Sequence, residues 1–212
     1  MSAIDNKKED KFLIVIGRQF GSGGRRIGKL LADALGVPYY DRTLLSEAAR
    51  QMGMSADVFE RHDERRPSLI RSLLSFTYGS SNVDVNSSPM SDEKVYELQS
   101  RVIRDICSRE SCVIVGRTAD YIMRDHPRMV SIFIHAPLEF RIANTLRKQE
   151  AKDEKEAEEM AHRHDHGRQS YYNYYTNRDG WGLASNYHLT FDASRISDEA
   201  IIDAIKDMLR QR

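Results

Sequence analysis

The sequence predicts an α/β domain in which a parallel sheet is covered by helices on both faces. Strand-length segments recur at residues 12–16, 37–41, 112–115, 129–134 and 187–192, and helical patterns separate them. The first strand runs into a glycine-rich turn that opens a helix. Strands that alternate with helices need cover on both sheet faces, which is the parallel arrangement.

Each element has its own reason. Residues 1–10 are polar and charged and read as a loose tail, leaving 11–212 as one domain. Phe12, Leu13, Ile14, Val15 and Ile16 form the first strand. In the helix that follows the turn, Ile27, Leu30, Leu31, Ala34 and Leu35 share a face, and Gly36 stands where a C-cap glycine belongs. Residues 37–41 make a short strand ending on Asp41. Between Thr43 and Thr77 the pattern gives short helices broken near Gly53 and Pro67, and residues 79–89 are a loop by composition.

Ser91 is placed to cap a helix over residues 92–109, with Val95, Leu98, Val102, Ile103 and Ile106 inward. The runs 112–115 and 129–134 end at Gly116-Arg117 and at His135. Residues 137–148 are helical again, and the charge-dense stretch from 151 to about 166 reads as a solvated helix. A strand over 187–192 and a helix over 198–209, introduced by Ser197, close the chain.

Composition narrows the function. The 212 residues are 40% hydrophobic and 30% charged, enough for one substantial core. Thirty-two basic residues balance 32 acidic ones, so no global field points to nucleic acid. The two cysteines, Cys107 and Cys112, read as reduced thiols. No signal peptide or membrane-length apolar run is visible, so the expectation is a cytoplasmic protein without a membrane partner.

Strand, glycine loop and helix in that order make a phosphate cradle, because glycines admit backbone N–H groups to phosphate oxygens and the helix start adds partial positive charge. Gly21, Ser22, Gly23, Gly24, Arg25 and Arg26 are the candidate phosphate ligands. The loop is irregular. A standard phosphate loop reads G-x-x-x-x-G-K-[ST], and aligning Gly23 with its second glycine puts Gly24 at the lysine and Arg25 at the metal-binding hydroxyl. Starting one residue later removes both groups as well. Arg18, Arg25 and Arg26 are the available cations, and which one replaces the lysine stays open.

Ligands of open parallel sheets bind beyond the carboxyl ends of the strands, which here carry Gly17-Arg18, Asp41-Arg42, Gly116-Arg117 and His135. Clustered arginines beside a glycine loop suit phosphoryl transfer between two nucleotides, a reaction that needs positioning, charge neutralisation and exclusion of water. In that scheme the loop holds the donor and Arg117 clamps the acceptor phosphate. A lid over about residues 141–170, bearing Arg141, Arg147, Lys148, Arg163 and Arg168, closes over them. His162, His164 and His166 alternate with Arg163 and Asp165 without an H-E-x-x-H order, so a metal ligand stays unassigned. The aromatic group Tyr171, Tyr172, Tyr174, Tyr175 and Trp181 either packs the return of the lid onto the sheet or stacks a base.

Several segments together resemble the cytidylate kinase-like family: residues 17–24, Tyr40-Asp41, Val115-Gly116-Arg117, residues 165–168 ahead of Tyr171-Tyr172, Tyr175-Thr176, Trp181-Gly182 and Tyr187-His188-Leu189. The resemblance spans nearly the whole chain apart from the tail and about residues 54–89. It implies a P-loop nucleoside monophosphate kinase fold: five parallel strands, a helical acceptor-binding insert over about 43–110 and a lid over 141–170. It also implies Mg²⁺-ATP as donor and CMP or dCMP as acceptor. Under it, Arg117 matches the acceptor-phosphate arginine, with Thr118 where the family's aspartate follows. Asp165 and Arg168 match a monophosphate-contacting pair. Arg141 matches the first lid arginine, the next two falling on Asn144 and Thr145. Asp41 matches an acid after the second strand. Arg18, Arg25, Arg141 and Arg168 are the candidates for catalysis, and Asp41, Arg117, Asp165 and Arg168 for substrate binding. The helix over residues 69–76 is a conceivable homodimer contact.

Overall fold

The computed structural model describes residues 11–44 and 92–211. The expected tail, the helices and loop between 45 and 90, the dimer helix over 69–76 and the Ser91 cap lie outside the described residues. The described elements, numbered in chain order, are β1 (Leu13–Arg18), α1 (Gly24–Leu35), β2 (Tyr39–Tyr40), α2 (Asp92–Arg109), β3 (Cys112–Val115) and α3 (Ala119–Ile122). They continue with β4 (Met129–His135), α4 (Leu138–Arg147), α5 (Glu154–Thr176), β5 (Leu189–Asp192) and α6 (Asp198–Arg210). The five strands form one parallel sheet in the order β2-β3-β1-β4-β5.

Alternation along the central strands sorts the core into two layers. Ile14, Ile16, Val113, Val115, Ile132 and Ile134 face α1 and α6. Leu13, Val15, Cys112 and Ile114 face α2, which returns Val102, Ile103 and Ile106. Both faces are therefore apolar, as a parallel sheet requires. The described end of the segment read as an insert, α2, is thus a helix that covers the sheet. Cys107 and Cys112 are buried and unbridged. Among the described residues no helix is long and apolar enough to cross a membrane.

Helix α1 packs differently from the expected face. Its buried residues are Gly24, Ile27, Gly28, Leu31 and Ala32, while Leu30 and Ala34 are exposed. The small residues at 24, 28 and 32 stack at four-residue spacing, so the helix lies close on the sheet. A β-carbon at Gly28 would come within 3.0 Å of Val115 Cγ2. Large side chains at 27 and 31 then fill the groove beside that stripe. Gly36 ends the helix as expected, at φ 65° with its N–H on the Ala32 and Asp33 carbonyls. Ser197 caps α6, its Oγ accepting from the Ala200 N–H at 3.3 Å.

Two elements differ in length from the sequence reading. β2 is only Tyr39–Tyr40, an edge strand paired with β3 alone. Helix α5 runs to Thr176, ten residues beyond 166. Its charged first half starts at Asp153, whose Oδ1 accepts from the Glu156 N–H at 2.8 Å. Its second half turns Tyr171 and Tyr172 inward, so the helix gains burial where the composition changes and stops only at Asn177, φ 51°.

Candidate functional site

Strand β1 sits at the centre of the sheet, and the chain leaves it to one side for β2 and crosses it later for β4. Its carboxyl end therefore opens onto the reversal of strand order, where open α/β sheets bind ligands. From that end the chain turns through Gln19, Phe20, Gly21 and Ser22 into α1. Ser22 Oγ donates to the Gln19 carbonyl at 2.9 Å, and Gln19 Oε1 accepts from the Ala136 N–H at 3.1 Å. Gly23, at φ 89°, is the N-cap and supplies no side-chain acceptor to the first turn. The start of α1 thus keeps the donors that suit a phosphate.

The lid segment is bonded straight to this loop. Asp165 accepts from the Phe20 N–H at 2.7 Å, from Arg141 Nη1 at 2.7 Å and from Arg168 Nη1 at 3.3 Å. Arg141 also donates to the carbonyls of Ala136 at 3.1 Å and Phe20 at 3.2 Å. Asn144 donates to the Gly21 carbonyl at 2.6 Å, and buried Thr145 returns its hydroxyl to the Arg141 carbonyl. Where the resemblance leads one to expect two more lid arginines, the chain has an amide that reaches a loop carbonyl and a hydroxyl that closes the helix. Gly21, at φ 77°, is needed there: a β-carbon would come within 2.7 Å of the Arg141 carbonyl oxygen. Asp165 and Arg141, read as substrate and catalytic candidates, spend their polar atoms holding the loop.

The arginines of the loop part company. Arg25 Nη2 donates to Asp41 Oδ2 at 2.6 Å. Burial alone would raise the Asp41 carboxyl, but Arg25 and the Leu44 and Thr43 N–H groups hold it below its ordinary value. Arg26 turns away and pairs with Asp198 at the start of α6. Arg18 stays inside. The residue is half-buried, yet its Nε is closed to solvent and has no hydrogen-bond partner among the described residues. Burial, then the charges of Arg168, Arg117 and Arg25, hold its guanidinium well below the usual arginine value. Arg168 donates to the Arg18 carbonyl at 3.3 Å, and burial brings it down to about 10 against the opposing pull of Asp165.

Arg117 stands on a strained turn at the end of β3. Gly116, Arg117 and Thr118 have φ of 80°, 63° and 51°, three left-handed residues in succession. Gln99 donates to the Arg117 carbonyl at 3.4 Å and to Tyr171 Oη at 3.1 Å, and the Tyr171 ring lies 6.0 Å from the Arg117 guanidinium carbon. Thr118, found where the family has an aspartate, donates to Tyr96 Oη at 3.2 Å, and Tyr96 stacks on Tyr175 at 3.9 Å. The tyrosines thus pack α5 onto α2 beneath Arg117. Gln99 escaped the sequence reading, its only signal being a polar residue on the inward face of α2; Asn144 was named there at a lid-arginine position, without the loop contact it makes.

His164 stacks on Phe20, with centroids 4.4 Å apart and planes at 10°. Burial, then Arg168, Arg163 and Arg18, depress its imidazole from 6.5 to about 4. Below pH 6.5 the unfolded chain takes up the proton first, so stability falls as pH drops from 6.5 to 4, by roughly 1 kcal/mol after allowance for partial exposure. The Tm of the native protein is expected to fall more between pH 7 and 5 than that of His164→Phe, which keeps the stack. Parallel curves would remove His164 from the acid response. Among the described residues no three metal-ligating side chains gather, and Arg25 stands at the standard hydroxyl position.

A parallel sheet in this order, with a glycine loop at the end of its central strand, defines a P-loop kinase fold. The chain belongs to the cytidylate kinase-like family, whose profile matches residues 13–195. A cytidylate kinase of Methanosarcina barkeri (strain Fusaro / DSM 804) is 27% identical over 193 residues, covering 88% of this chain and 89% of that protein. An uncharacterized protein from Eubacterium ventriosum ATCC 27560 superposes with TM-score 0.71 at 26% identity, covering 95% of this chain and all of that one. Shikimate kinase from Bacteroides thetaiotaomicron, at TM-score 0.53 and 15% identity over 94% and 98% of the two chains, shares the fold. Family and fold together support kinase activity on a nucleotide or another small metabolite.

Proposed function

We propose that this protein transfers the terminal phosphoryl group of ATP to a pyrimidine nucleoside monophosphate, with CMP or dCMP as acceptor. The observation that carries the reading is the group of guanidinium ions gathered on Arg18 at the end of β1, which feels the charges of Arg168 from α5 and of Arg117 from the end of β3 beside the glycine loop. Like charges that share a half-buried place call for a polyanion. The loop N–H groups hold the donor phosphates, and Arg117, presented by its strained turn, holds the acceptor phosphate. An acceptor phosphate oxygen forms the new bond to the γ-phosphorus as the bond to the β-phosphate bridging oxygen breaks, leaving ADP and a nucleoside diphosphate. Mg²⁺ bound to ATP would add charge neutralisation.

The test is ADP release from Mg²⁺-ATP with CMP, dCMP and UMP in turn. Selective stimulation by CMP or dCMP is expected, and Arg117→Ala should raise the KM for the acceptor at least about tenfold while changing the KM for ATP little. Unchanged acceptor kinetics would remove Arg117 from that role. The missing loop lysine favours a second reading, a nucleotide-binding regulator without turnover; ATP binding with silence across the panel would select it.

A further inference from the structure

Two glycines outline the path of one side chain. Gly24 stands at the lysine position of a standard phosphate loop, and a β-carbon there would come within 2.6 Å of Arg18 Cβ and 3.1 Å of Arg18 Cγ. A β-carbon on Gly116, at the end of β3, would overlap Arg18 Nη1. The Arg18 stem therefore fills the space over the start of α1, and its guanidinium lies across the Gly116 turn, towards Arg117. Any side chain at position 24 competes with Arg18 for the same volume.

We propose that Arg18 performs the task of the absent loop lysine, delivering the phosphate-neutralising charge from the end of β1 instead of the start of α1. On this view the lysine is missing because its place is taken, and a lysine at 24 excludes an arginine at 18. The other loop cations are committed elsewhere, Arg25 to Asp41 and Arg26 to Asp198. Arg18 Nε has no hydrogen-bond partner among the described residues, so the guanidinium keeps unused donor capacity. A guanidinium offers a phosphate two parallel N–H donors where an ammonium offers a point charge. The inference rests on the kinase reading only for the identity of the phosphate donor.

The test is calorimetric titration with ATP and with inorganic tripolyphosphate, alongside thermal melts. Arg18→Met keeps the stem over Gly24 and removes the fork; it should melt at or above the native temperature and bind both probes about tenfold more weakly or worse. Gly24→Lys alone should lower both Tm and binding, because two stems then contend for one space. Arg18→Gly/Gly24→Lys, which also removes the β-carbon at 18 that a side chain at 24 would meet, should regain part of the melt lost by Gly24→Lys and bind more tightly than Arg18→Met. Native affinity in Arg18→Met overturns the proposal, as does a folded double variant no better than Arg18→Met. If the double variant does not fold, Arg18→Met alone decides. A native protein that binds neither probe overturns the kinase reading as well, which separates the two failures.

Discussion

Replacing Asp165 by alanine is expected to cost about 3 kcal/mol or more of folding stability, measured by urea unfolding at pH 7. Asp165 is the carboxylate between Arg141, which is buried, and Arg168, and it also receives the Phe20 N–H. Burial pushes its own carboxyl above the ordinary value despite Phe20, Arg168 and Arg141, and burial pulls Arg168 down. Neither partner gains from being placed there. The pair is therefore no bonus to stability, but removing its negative half strands two guanidinium ions and orphans a loop N–H. Asp165→Asn, which keeps an acceptor for Phe20 and loses the charge, should fall between alanine and the native chain. A loss below about 1 kcal/mol in Asp165→Ala would show that the loop does not depend on this brace.

Gly116→Ala is expected to be the most damaging small substitution for phosphate binding. A left-handed backbone costs an alanine about 1–2 kcal/mol at φ 80°, and the added carbon falls on the Arg18 guanidinium. Arginine tips move, so the clash is relieved by pushing the fork off its station; affinity for ATP should then drop about tenfold or more, towards that of Arg18→Met. Gly36→Ala is the matched comparison. It also has positive φ, at 65°, but a β-carbon there meets nothing within 4 Å. It should lose stability of the same order and keep native affinity. Equal affinity in both variants would mean that the guanidinium has no fixed station over the turn.

Much of this was legible in the sequence, for a physical reason. Apolar runs such as Cys112–Val115 have no stable place except the middle of a sheet, and Gly36 and Ser197 sit where a helix end requires that chemistry. The destinations of charged side chains were not legible. Arg25 and Arg26 are neighbours of equal chemistry, yet one meets Asp41, 16 residues on, and the other Asp198 at the far end of the chain. Only the tertiary arrangement distinguishes those acids from the chain's other carboxylates. The α1 face was misread for a related reason. Leu30 and Ala34 fit the helical period, but the close approach of Gly24, Gly28 and Ala32 decides which side meets the sheet.

The braces on the glycine loop grip main-chain atoms: the Phe20 N–H, the Phe20 carbonyl and the Gly21 carbonyl, across separations of 121 to 145 residues. Those braces read the backbone at 20 and 21, with glycine required at 21 by the nearby Arg141 carbonyl; the shape of the loop is recorded on α4 and α5. A chain emerging from the ribosome presents its glycine loop early but has no means of holding it until Asp165 is out. Long-range closure of this kind comes late in folding. The phosphate cradle is in this sense finished only by residues made long after it.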